Sequence, residues 1–301
     1  MTVLPFILKT IFPVFIVALI VSYISSTNKA KSDAENSLMW QAKYIQSQFQ
    51  ATLENNMNAI RAVATSPAIK MYLQGGGDAS LASDMLQQLK DIDEQMGDGN
   101  TTIITGTNGM QLLRSDEGTL ADVSSREYYA KALSGIPYMS DSIASLSTGK
   151  MIAVIITPVY DFDGTTVIGT IQRDFDLSDF HDFLAENADD AFIADRVGNI
   201  MAHSQFTISA SDEPKSVASD PFFTSGNTQG VYETSNHQTG IVNFLAYSKE
   251  PNSGFYVGIG QPRDEILSSA RRSAIIVIIV GAILLIIAAV ISVMMARSFT
   301  D

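Results

Sequence analysis

The chain has 301 residues, with 32 acidic and 19 basic side chains and no cysteine. Disulfides, thiolate metal sites and a cysteine nucleophile are thereby excluded, and the length supports one or two domains with a real core. Residues 26–270 hold 31 of the acidic side chains against 15 of the basic ones, a surface that repels phosphate backbones and speaks against a nucleic-acid partner.

Leu4–Ile24 is apolar apart from Lys9, Thr10 and a few small residues, and is long enough to cross a bilayer. The competing reading is a cleaved signal peptide with its apolar core at Ile11–Ile24. No small-x-small cleavage site follows, which favours a retained anchor at 4–25. From about Lys31 to Ala64 the chain lacks Pro and Gly and reads as one long helix. Leu38, Ala42, Ile45, Phe49, Thr52, Asn56, Ile60 and Val63 recur along it at spacings of three and four. The far half of this stripe is expected to pack on a sheet of the same chain. The near half is expected to pair with a second copy, making a homodimer. Ser66-Pro67 breaks and restarts the helix, Gly75–Gly77 is a turn, and Ala79–Met96 is a further amphipathic helix.

Thr101–Thr105 and Met110–Arg114 alternate around Gly106–Gly109 and predict a hairpin. A short helix follows, capped by Ser124 or Ser125 and stopped at Gly135 after Leu133. Two β-rich runs, Met151–Tyr160 and Thr166–Phe175, are joined by Asp161-Phe-Asp163-Gly164. That tetrapeptide suits a hairpin turn and lacks the remaining ligands of a calcium loop. After a helix at Leu177–Glu186 the pattern restarts. Ala191–Ala194, a turn at Arg196–Asn199 and Ile200–His203 repeat the earlier strand-turn-strand, and strands follow near Gly230–Glu233, Gly240–Ser248 and Phe255–Gly260. Ala274–Met295 is a run of 22 residues without a charge, bracketed by Arg271, Arg272 and Arg297, and predicts a second span.

No catalytic pattern stands out. His181, His203 and His237 share no metal-ligand spacing, the glycines are scattered in turns, and neither a cofactor nor a metal is expected. One constellation does carry chemistry. Arg126, Tyr128 and Tyr129 on the short helix, with Asp174 at the end of the last strand, make a candidate ligand pocket. Arginine offers a planar fork for a carboxylate, and tyrosines give apolar walls with polar tips. The plainer reading is a solvated arginine, tyrosines packed on a sheet, and Asp174 or Asp176 capping the helix at Leu177.

Several of these stretches together resemble the double Cache family of bacterial extracytoplasmic sensor domains. They are the long first helix, Ser125-Arg126-Glu127-Tyr128-Tyr129, Ser147-Thr148-Gly149-Lys150, Thr157-Pro158-Val159-Tyr160, and Ile168-Gly169 leading to Asp174-Phe-Asp-Leu177. The resemblance covers residues 27–270. It implies an α+β fold in which a long N-terminal helix backs two tandem PAS-like antiparallel-sheet modules, flanked by two transmembrane helices. The implied organisation is a stalk helix at 26–70, a membrane-distal module at 71–186 and a membrane-proximal module at 187–262. A juxtamembrane and membrane helix at 263–295 follows, and 296–301 opens a HAMP-like linker, as in methyl-accepting chemotaxis proteins. The function implied is sensing of a small molecule for chemotaxis, or for a histidine kinase or cyclic-dinucleotide enzyme. A non-sensory membrane-anchored assembly role is the remaining reading. In amino-acid-binding members an Arg and aromatics take the carboxylate and two acids take the ammonium, a pattern that Arg126, Tyr129 and Asp174 match, with Tyr128 where Trp is usual. The sequence departs at Ala121, where Tyr is expected, at Ile143, where an aromatic is expected, and at Ser145, where Asp is expected. The ligand implied is a small carboxylate or an amino-acid-like metabolite.

Overall fold

The computed structural model describes residues 12–176, 178–209, 213, 215–236 and 240–298. Leu4–Ile11 of the first apolar segment, Leu177, His237 and residues 299–301 of the expected linker lie outside them. The chain divides into two compact units, one of Gln41–Gly230 with Tyr247–Ile259, the other of Met1–Trp40, Val231–Ala246 and Gly260–Asp301.

The first helix, α1, runs unbroken over Phe12–Ala64. At 1.5 Å per residue it is about 80 Å long. Leu38, Ala42, Ile45, Phe49, Asn56, Ile60 and Val63 of the apolar stripe are all buried by the chain itself. This corrects the expectation for the near half: Leu38 and Ala42 are already covered and are not available to a second copy. The opposite face carries Trp40, 76% exposed, and Tyr44 one turn on. Ser66 is the N-cap of α2, Pro67–Gln74, with Pro67 at its first turn, where the missing N–H costs nothing. Helix α3, Ala79–Met96, is capped by the Asp78 carboxylate on Ser80 N and ends on left-handed Gly97.

Within the larger unit, β1 (Thr101–Gly106), β2 (Gln111–Arg114), α4 (Glu127–Leu133), β3 (Tyr138–Met139), β4 (Ile143–Ala144), β5 (Met151–Tyr160) and β6 (Val167–Asp176) form the first module. Its sheet has the order β2-β1-β6-β5-β3, with β4 also on β5. Helix α5 (Ser178–Asn187), β7 (Ala191–Ala194), β8 (Ile200–His203), α6 (Pro221–Thr224), β9 (Gln229–Ser235), β10 (Val242–Lys249) and β11 (Tyr256–Pro262) follow. The second sheet has the order β8-β7-β11-β10-β9. The two orders are the same path, so the weak sequence repeat is a repeat of topology. Both opening hairpins even carry a bulge on their second strand, at Leu112 opposite Ile104/Thr105 and at Met201 opposite Ile193/Ala194.

The antiparallel register of β6 divides its side chains between two faces. Ile171, Arg173 and Phe175 face the helices, where Phe175 stacks on Phe180 of α5 and Phe180 meets Phe49 of α1 edge-on. Thr170, Gln172 and Asp174 face α4. Gly169 stands where β6 passes under α2; a Cβ there would lie 2.7 Å from Leu73 and 2.8 Å from the Thr105 carbonyl, so only glycine fits. Arg173 is fully buried. Its guanidinium is paired with Asp93 near the end of α3 and with Asp98 just after it, and donates to Thr102 Oγ1 at 3.0 Å.

A second arginine joins the turn after β7 to the first module. Arg196 donates to the Met139 carbonyl at 2.7 Å, to Tyr138 Oη at 3.0 Å and to the Ser253 carbonyl at 3.0 Å. Its Nε lies 3.2 Å from Asp141, and its plane covers the rings of Tyr138 and Phe255. Next to it, buried Asp195 accepts the Ser142 hydroxyl at 2.9 Å. The Asp161–Gly164 turn is held by its own atoms: Asp163 accepts Thr165 N, Thr166 N and Thr166 Oγ1.

In the smaller unit, Lys31 of α1 pairs with Glu233 of β9 at 3.3 Å, and Arg263, first residue of α7 (Arg263–Ser298), pairs with the same glutamate at 3.5 Å. Gly281 of α7 lies against Phe15 of α1 so closely that a Cβ would sit 1.7 Å from the ring. Both helices are long and apolar enough to cross a bilayer, with mean hydropathy of 1.3 and 3.5 in their most apolar windows.

The buried Arg173 gives a direct test of the fold. Arg173→Met keeps the volume and removes the charge, leaving Asp93 and Asp98 facing each other. Urea unfolding is expected to show a loss of about 3–5 kcal/mol; an unchanged midpoint would mean that the pairing contributes nothing.

Candidate functional site

One cavity lies between α4, the segment before it and the α4-facing side of the first sheet. It is lined by Gln111, Ala121, Val123, Arg126, Tyr128, Ile143 to Ser147, Ile152, Gln172 and Asp174. The free space enclosed is about 10 Å³, about enough for one water molecule.

The local sequence explains how these side chains meet. Gly109, with φ 83°, closes the β1–β2 turn, and a Cβ there would fall 2.5 Å from Ser124. Glycine therefore lets the segment 121–124 lie along the hairpin, where Val123 N donates to Gly109 O and Gln111 N to Ala121 O. Asp122 accepts Ser124 N in a tight turn, so neither Ser124 nor Ser125 caps the helix. The N-cap is Arg126 in extended conformation, one residue before α4 rather than on it. That backbone turn points the guanidinium across the cavity mouth, where it donates to the Ala144 carbonyl of β4 at 3.0 Å. Arg126 is half-buried there, not freely solvated.

Tyr128 forms the wall. It packs with Val123, Ile152, Val154 and Ile156, and burial together with the nearby Asp174 charge pushes its phenol up to about 12. Tyr129 is placed differently from expectation. It is buried, its hydroxyl donates to the Gly106 carbonyl at 2.8 Å, and it is absent from the lining. Its role is to fasten α4 to the hairpin. Ile143 and Ser145 both line the cavity. Ser145 Oγ lies 3.1 Å from Ser147 Oγ and accepts Thr148 N, holding the β4–β5 turn over the site.

Asp174 is the one carboxylate of the lining. Burial raises it from the ordinary 3.8 to about 6, against the opposing effects of Gln172 and Arg114. Gln172 Nε2 donates to Asp174 Oδ1 at 2.8 Å. Behind Gln111 lies Arg114, buried and bound through two nitrogens to Asp116 at 2.9 and 2.8 Å. The cavity thus has a guanidinium at its mouth, a phenol wall, and a buried carboxylate and amide at its floor. Gln111 and Gln172 were not among the candidates. The signal for Gln172 is the two-residue period of a strand, which puts 172 and 174 on one face.

The family model for the Cache domain, dCache_1, matches residues 26–270. Solved structures share the fold. The extracellular domain of a protein assigned as a histidine kinase, rpHK1S-Z16, superposes with a TM-score of 0.64 at 14% identity, covering 79% of this chain and 98% of that one. The ligand-binding domain of the Campylobacter jejuni chemoreceptor Tlp3, in complex with L-valine, gives 0.61 at 15% identity over 80% and 97%. That of the Pseudomonas aeruginosa PAO1 amino acid chemoreceptor PctC, in complex with GABA, gives 0.58 at 19% over 76% and 100%. No curated protein matches the chain. With most of its length matched by the family model and both sheets in the shared topology, the chain belongs to the Cache-domain family of sensory, ligand-binding domains.

Proposed function

We propose that this chain is the sensing part of a two-pass membrane receptor and binds a small amino-acid-like metabolite in the first module, with chemotaxis as its output. The observation that carries the reading is a single small cavity with a guanidinium at one end and a buried carboxylate at the other. A zwitterion matches both. Its carboxylate takes the Arg126 fork, gaining charge-assisted bonds in place of the one to Ala144 O. Its ammonium takes Asp174 and relieves the cost of a buried, unpaired carboxylate. The complexes of Tlp3 with L-valine and of PctC with GABA support an amino-acid-like ligand. The small free volume means that ligand entry moves the rim at Ala144–Ser147. Segment 138–142, gripped by Asp195 and Arg196, runs directly into that rim. Displacement there has a short path to β11, which leads without a loop into α7. A shift of α7 along or across the bilayer would be the transmitted signal. The rpHK1S-Z16 likeness favours a kinase output as the second reading.

Three outcomes are expected. With the full chain in lipid nanodiscs, titration with the common L-amino acids and GABA identifies a binder; Arg126→Ala weakens it about ten- to a hundredfold. Asp174→Asn weakens it comparably, and an unaffected Asp174→Asn would point to a plain carboxylate ligand instead.

The pH dependence follows from the raised carboxyl. Ammonium binding requires ionised Asp174, so affinity should fall about tenfold per unit below about pH 6 and level off above it. In the empty protein the sign is opposite. A carboxyl raised from 3.8 to about 6 contributes stability that is present below pH 3.8 and lost as pH rises through 6. Asp174→Asn should flatten both curves, measured by calorimetric titration and by thermal unfolding across pH 4–8.

Topology is read by labelling intact cells with an impermeant maleimide, using single cysteines in this cysteine-free chain. Ser80→Cys should label and Ser298→Cys should not; the reverse pattern would place the modules in the cytoplasm.

A further inference from the structure

Gln172 is 1% exposed, lies on the same face of β6 as Asp174 and lines the cavity floor. Its amide is used on one side only. Nε2 donates to Asp174 Oδ1 at 2.8 Å, while Oε1 is buried and makes no hydrogen bond. The orientation is not arbitrary, because turning the amide over would set Oε1 against a carboxylate oxygen. Asp174 therefore fixes which way Gln172 points. No hydroxyl of the surrounding floor is hydrogen-bonded to Oε1. Thr170 and its cross-strand partner Thr105, on the same face, have buried hydroxyl oxygens that are themselves without partners. A native fold rarely leaves a buried amide oxygen unpaired without a reason.

We propose that Gln172 Oε1 is the second acceptor for the ligand's amine, so that the floor selects a primary ammonium over N-alkylated amines and over acids lacking nitrogen. This rests on the amino-acid-like reading of the cavity and names what that site discriminates. A primary ammonium carries three N–H donors. One goes to Asp174, adding to the bond that carboxylate already accepts from Gln172, and one to Gln172 Oε1, which has no partner. A trimethylated ammonium keeps the charge for Asp174 and brings no donor, leaving the amide oxygen against methyl groups. Sites built to hydrogen-bond a ligand N–H reject analogues lacking it more strongly than apolar pockets reject a change of size. The single carboxylate of the floor and the adjacent amide thus act as a directed pair, charge from one and geometry from the other.

The experiment uses the full chain in nanodiscs at pH 8, well above the value of about 6 to which burial raises Asp174 in the parent. Common L-amino acids and GABA are titrated first. The tightest binder is then compared with its N,N,N-trimethyl form and its amine-free acid, on the parent, Gln172→Met and Gln172→Glu. The parent should prefer the primary amine over the trimethyl form by a hundredfold or more. Gln172→Met should weaken the primary amine at least tenfold and leave the trimethyl form unchanged, so that the preference collapses. Gln172→Glu, which restores an acceptor, should restore the preference. If Gln172 only packs, Gln172→Met weakens both forms alike, and an unchanged ratio overturns the proposal while leaving the cavity reading intact. If no compound in the first panel binds the parent, the amino-acid reading itself falls and takes this inference with it.

Discussion

Arg173 is a guanidinium with no solvent contact, and the helix face of the first module is arranged to keep it paired. Desolvating such a charge is costly unless its partners and geometry are fixed. They are fixed here by three separate features: the last turn of α3 supplies Asp93, left-handed Gly97 reverses the chain to bring in Asp98, and β1 contributes Thr102. Asp93 in turn accepts both the backbone and the hydroxyl of Thr102. The cluster ties α3, β1 and β6 together at one point. Because strand side chains alternate, holding Arg173 on one face also holds Gln172 and Asp174 on the other. A structural ion pair and the cavity floor are adjacent positions of one strand. The order of the binding site is inherited from the far side of the sheet.

The mouth of the cavity is organised by a weaker and more exchangeable bond. Arg126 holds a backbone carbonyl, Ala144 O, at the end of a two-residue strand that also pairs with β5. On one side of this strand the Ser145–Thr148 turn closes on itself. On the other, Asp141 and Ser142 are bound by Arg196 and Asp195. On the proposed reading a ligand carboxylate would compete with Ala144 for the same guanidinium, linking occupancy and rim position through one donor.

Much of this was legible in the sequence because the physical periods are simple. The stalk stripe from Leu38 to Val63 is a helical period, and its burial follows directly. The turn at Asp161–Gly164 and the strands on either side follow from turn chemistry and alternation. Arg126 and Asp174 stand out by residue chemistry and by their places on a helix and a strand end, since the 47 residues between them obey no period. Tyr129 was misplaced although the rule was at hand: consecutive helical residues diverge by roughly 100°, so Tyr128 and Tyr129 do not face one cavity. Strands β3 and β4 are two residues each, below any periodic signal. The burial of Arg173 was invisible because its partners, Asp93 and Asp98, lie 80 and 75 residues away.

The exposed face of the stalk has a practical consequence for anyone observing this molecule optically. Trp40 is the chain's single tryptophan, is largely open to solvent, and takes no part in the cavity. Its indole emission therefore reports whatever comes to lie against the stalk helix, a neighbouring protein or a change in local polarity, and is blind to the floor around Asp174. The chromophore of the site is the phenol of Tyr128, held beside a carboxylate in a dry wall. Tryptophan fluorescence thus gives a channel for the stalk from the native chain, without attaching a dye.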